Sequence, residues 1–139
     1  MRIASAVFAA ALLLLQPRIA YAALAMAPAN PVVGLWSTTL YSAPGQAYAS
    51  FLMQFSPNGR FDEQMVVTPG GVASYGGTWS FDPRQMTLTY TIFEFSPPTI
   101  PPIAPVGQPV TNRVEFANGG YTMLIDQPGT VPLNMTRQR

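Results

Sequence analysis

Carboxylates and arginines are the only charged groups with which this chain of 139 residues can do chemistry. Asp62 and Glu63 are adjacent, Glu94 stands on a later segment, and Arg113 and Glu115 are two apart. Histidine, lysine and cysteine are all absent. That removes Ser-His and Cys-His nucleophile pairs, lysine Schiff bases and the usual zinc ligands, so no metal site or cofactor is expected. Two neighbouring acids on a strand point to opposite sides and cannot flank one bond as a glycosidase pair does. An acid-only enzyme built on Glu63 and Glu94 lacks any accompanying base or nucleophile constellation. The residues therefore favour a binding or interaction protein over an enzyme.

The elements that position these groups begin after a leader. Arg2, the apolar run from Ile3 to Leu15 and the small-x-small triplet Ala20-Tyr21-Ala22 read as a cleaved signal peptide over residues 1–22. Gln16-Pro17-Arg18 interrupts the apolar run before it reaches the ~20 residues of a membrane anchor. The expected location is periplasmic or secreted, with no membrane contact after cleavage. Removal of the leader leaves 139 − 22 = 117 residues, one domain, and five arginines against six acids for a net charge of 5 − 6 = −1. Scattered arginines at that charge do not attract nucleic acid. Only 9% of the chain is charged, against about 25% in ordinary soluble domains.

Residues 23–31, rich in Ala and Pro, read as an extended N-terminal arm. The remainder, 32–139, carries eight strand candidates at about 32–41, 47–56, 60–67, 72–81, 86–95, 109–117, 120–126 and 130–138. Turn residues separate them: Ala43-Pro44-Gly45, Pro57-Asn58-Gly59, Pro69-Gly70-Gly71, Asp82-Pro83, Asn118-Gly119-Gly120 and Pro128-Gly129. No segment holds a 3.6-residue apolar period over three turns, so an all-β chain is predicted. Alternation assigns faces. Met86, Leu88, Tyr90 and Ile92 share one side of the fifth strand and Thr87, Thr89 and Thr91 the other. Phe51, Met53 and Phe55 face inward on the second strand, Phe61, Glu63, Met65 and Val67 share a face on the third, and Tyr75, Gly77, Trp79 and Phe81 on the fourth. Arg113 and Glu115 fall on a solvated face.

The rhythm breaks once, between Phe95 and Val110. Six prolines among the intervening positions allow neither helix nor central strand. This 96–109 loop is expected to follow a stiff polyproline-like path, as a lid on a barrel mouth, as a docking segment for a protein partner, or as a tolerated insertion.

Gly34-x-Trp36 at the head of the first strand and Arg137 at the end of the last resemble the signature of the lipocalins and the wider calycin superfamily. Phe55-Ser56-Pro57-Asn58-Gly59-Arg60-Phe61 and Gly76-Gly77-Thr78-Trp79-Ser80-Phe81 are similar to segments of small bacterial lipocalin-like domains. The resemblance implies an eight-stranded antiparallel up-and-down β-barrel. Gly34, Trp36 and Arg137 would then close the floor, with the Arg stacked on the indole; Val131, Leu133 and Met135 share the face of Arg137. It also implies a small apolar or amphipathic ligand in the barrel, walled by Phe51, Met53, Trp79, Tyr90 and Met123 with the Pro-rich loop as gate. The alternative is a protein-interaction module, such as an inhibitor of an exported hydrolase, with a filled barrel.

Overall fold

The computed structural model describes residues 30–102, 104–129 and 131–139. The expected leader at 1–22 and positions 23–29 of the arm lie outside the described residues. Eight antiparallel strands follow one another: β1 (Gly34–Ala43), β2 (Gln46–Phe55), β3 (Arg60–Val67), β4 (Gly71–Asp82), β5 (Thr87–Ser96), β6 (Val110–Ala117), β7 (Thr122–Asp126) and β8 (Leu133–Arg137). Each pairs with the next and β8 returns to β1, so the sheet is a closed up-and-down barrel.

The turns follow from their residues. Asp82 Oδ1 accepts hydrogen bonds from the backbone N–H groups of Arg84 (2.8 Å) and Gln85 (3.2 Å), and this Asx turn links β4 to β5. Asn118 and Gly119 both take positive φ, 53° and 65°, the conformation that an Asn-Gly pair tolerates, in a short 3₁₀ turn between β6 and β7. Gly77 answers a different demand. The register of β4 on β5 shifts between Gly76 and Gly77, and a Cβ at Gly77 would stand 1.8 Å from the Thr91 carbonyl oxygen. Only glycine permits that approach, and the bulge leaves Phe93 without a partner across the pair and keeps Glu94 beside it on the outer face, within reach of Arg60.

Met86, expected on the inner face of the fifth strand, takes φ 54° in the turn before β5, and the last strand departs from the sequence pattern as well. The last strand begins at Leu133 instead of 130, because Pro132 has no N–H for the ladder. Val131 accordingly lies before the strand, 75% exposed, and does not share the inward face of Leu133 and Met135.

Side chains fill the lower barrel. Phe55 stacks on Phe61 at 5.5 Å and meets Trp79 edge-on at 5.4 Å, and Phe61 leads on to Tyr90 at 5.4 Å. Leu88, Val114, Met123, Ile125 and Met135 complete this fully buried layer. Outside, Thr89 and Thr111 hydroxyls pair across β5 and β6 at 2.8 Å, as expected of a wetted face.

The floor is held by Arg137. Its guanidinium carbon lies 4.3 Å from the centre of the Trp36 ring. Nη1 donates to the Val33 carbonyl and Nη2 to the Pro31 carbonyl, both at 2.6 Å, and Nε donates to the Gly120 carbonyl at 3.1 Å. The buried indole N–H donates to the Val32 carbonyl at 2.8 Å. Gly34 has φ 141°, and a Cβ there would fall 2.6 Å from Arg137 Nη1, so the glycine leaves the space that the guanidinium occupies.

Candidate functional site

With the floor shut by Trp36 and Arg137, the other end of the barrel carries the turns into β2, β4 and β8 and the long connection from β5 to β6. That connection folds back over its own rim. Ile100 and Ala104 pack against the core, the Gly107 N–H donates to the Ile92 carbonyl at 2.8 Å, and the Tyr75 hydroxyl donates to the Ile100 carbonyl at 3.3 Å. Val106 is exposed and takes no part in this packing.

Beneath the loop the inner wall changes character. On β3 the inward period Phe61, Glu63, Met65 places a carboxyl in the barrel, opposite Met53 on β2 and Tyr75 on β4. Burial pushes the Glu63 carboxyl up to about 7 and no counter-charge opposes the shift. Arg60, the nearest arginine in sequence, is turned to the outside, where it pairs with Asp62 at 2.7 Å and Glu94 at 3.0 Å. Glu63 and Glu94 therefore stand on opposite sides of the wall, and the structure does not bring that acid pair together.

Tyr75 and Tyr90 are both buried, and both phenols are pushed up first by burial and then by the Glu63 charge. They remain neutral hydroxyls at physiological pH. Tyr90 also feels Asn112, whose side chain pulls its pKa partly back. Asn112 is 1% exposed, diagonal to Tyr90 across the β5–β6 pairing of Leu88 with Asn112 and Tyr90 with Val110. Although the amide is near enough to act on the phenol, neither Asn112 Oδ1 nor Nδ2 completes a hydrogen bond among the described residues. An amide left so costs about 1–3 kcal/mol per group. Glu63, Tyr75, Tyr90 and Asn112 thus form a polar belt on four consecutive strands within an otherwise apolar interior, and Glu63 keeps partial solvent contact.

The five residues expected as a ligand wall divide between two levels. Phe51, half-buried, faces Met65 towards the loop end; Met53 sits opposite Glu63; Tyr90 belongs to the belt. Trp79 lies opposite Tyr90 but ties its indole N–H to the Ser56 carbonyl at 3.0 Å, in the hairpin at the floor end. Met123 is fully buried between Phe116 and Met135. Met123 and Trp79 are packing for the lower layer, and Trp79 borders the belt through its pairing with Tyr90. Sequence reasoning left Asn112 out. Its signal was present in the period Val110-x-Asn112-x-Val114-x-Phe116, which sets an amide at an apolar position. No protein-family model and no curated protein matches this chain.

Proposed function

We propose that the chain is an exported lipocalin-like protein that holds a small amphipathic molecule in the loop-covered half of its barrel. The polar end of the molecule meets Glu63, Tyr90 and Asn112, and its apolar part lies against Met53, Met65 and Ile92. One observation carries this reading. Asn112 buries a donor and an acceptor without partners, and no other buried side-chain N or O atom among the described residues is left so. Buried polar groups in proteins are nearly always hydrogen-bonded, and an amide retained against that rule is explained by a partner that arrives from outside the chain. The lid role of the 96–109 loop is supported by the packing of Ile100 on the core and its bond to Tyr75.

The test is to recover the mature protein from its native host and identify what accompanies it by mass spectrometry, with Trp79 fluorescence following titration by an apolar dye. A small amphipathic molecule at near-stoichiometric amount is expected. A protein that carries nothing, and whose fluorescence no dye perturbs, would end the pocket reading.

A second reading, a protein-interaction module such as a hydrolase inhibitor, is favoured by the outer wall. Tyr48, Leu52, Val66 and Val72 are exposed on β2, β3 and β4, with Val66 paired directly to Val72. Apolar side chains grouped on a solvent face suit a protein partner. An empty barrel together with a stoichiometric protein in the pull-down would select this reading.

A further inference from the structure

Resting on the ligand-binding reading, we infer that the belt selects a small organic cation, a protonated amine carrying a short apolar tail. The polar groups that face the interior are a carboxyl, two phenols and an amide, and among the described residues no cationic side chain joins them. Arg60 is engaged by Asp62 and Glu94 outside the wall, Arg137 by three backbone carbonyls at the floor, and Arg84, Arg113 and Arg139 are exposed. A carboxylate on the inner wall without a counter-charge is a cost to the empty barrel. An ammonium group removes that cost and gains a charge-assisted hydrogen bond.

The neighbours suit the same group. The Asn112 Oδ1 atom and the Tyr75 and Tyr90 hydroxyl oxygens accept hydrogen bonds from N–H, and the faces of Tyr90 and Phe61, 5.4 Å apart, attract a cation. A carboxylate or phosphate ligand would instead meet the Glu63 charge. A neutral alcohol would leave that charge unpaired. Met53, opposite Glu63, and Ile92, on the inward period of Tyr90, give the tail an apolar bed.

The experiment is isothermal titration of the mature protein with three probes of one shape: 2-phenylethylamine, 2-phenylethanol and 3-phenylpropanoate. At about pH 8, above the Glu63 value of about 7, the amine is expected to bind at least about tenfold more tightly than the alcohol, the factor one charge-assisted bond supplies, with the propanoate weakest. At about pH 6 the amine must displace a proton from Glu63, and its advantage shrinks by about tenfold. Glu63→Gln, which keeps shape and removes charge, is expected to bring amine and alcohol together. Tyr90→Phe is expected to weaken both.

The outcomes separate the two ideas. If alcohol or propanoate binds and the amine has no advantage, or if the amine keeps its advantage in Glu63→Gln, cation selection falls while the pocket reading stands. If none of the three binds, both fall.

Discussion

Glu63 is the residue at which stability and binding oppose each other. Its carboxyl is raised from 4.5 in the unfolded chain to about 7 in the barrel, so the unfolded state releases the proton first. Below pH 4.5 both states are protonated and the group costs nothing. The penalty grows as pH rises from 4.5 to 7 and is constant above, reaching at most about 3 kcal/mol. Glu63→Gln should therefore raise the midpoint of urea unfolding at about pH 8 and leave it nearly unchanged at about pH 4, with wild type losing stability between those two values. Parallel denaturation curves for the two proteins at both pH values would refute the burial of this charge. Asn112 makes the complementary case. Asn112→Leu replaces an amide without partners by an apolar group of similar volume and should stabilise the barrel by about 1–3 kcal/mol. The same change should abolish binding of the amine, a loss that titration detects and that a merely structural amide would not produce.

Closure is a property of the first and last strands. β1 and β8 share only the pairs Trp36 with Arg137 and Ser37 with Thr136, a short seam beside the nine residue pairs of β1 on β2. Arg137 adds bonds to carbonyls on both sides of that seam. Lysine has one ammonium where arginine has a planar fork, and cannot reach Pro31, Val33 and Gly120 while covering the indole. Arg137→Lys should thus cost nearly as much as Arg137→Ala, more than about 2 kcal/mol by chemical denaturation, since either leaves carbonyls without their donor. A lysine variant as stable as wild type would show that stacking, not the fork, closes the barrel. At this scale the sequence was informative. Turn residues and period-2 faces locate all eight strands, because each short hairpin declares itself locally. The errors have local causes too: Pro132 delays β8, and paired glycines hide which of them takes the bulge. The belt was less legible. Alternation puts Glu63, Tyr75 and Asn112 on inner faces one strand at a time, but that they meet, and that Asn112 finds no partner, depends on register across four strands.

For the whole molecule, a chain without cysteine relies on sheet closure where many small domains use disulfides. Once closed, access to the interior is decided at the end away from Arg137. The 96–109 loop contributes little to holding the sheet together: it packs Ile100 and Ala104 on the core and bonds to Tyr75 and Ile92, while every strand pairing is made without it. Long loops add little closure entropy when their length changes, since each doubling alters it by only about 0.6 kcal/mol. Replacing residues 98–105 with a short Gly-Ser spacer should therefore leave the circular dichroism of the barrel intact. If the loop is a lid, the replacement removes the Tyr75 bond and the Ile100 and Ala104 contacts from the covered state. The residence time of a bound amine should then fall by about tenfold in stopped-flow displacement, with association unchanged or faster, because losses of this kind appear mainly in dissociation. An unchanged dissociation rate would make the loop a passive insertion and move the search for its role to a protein partner.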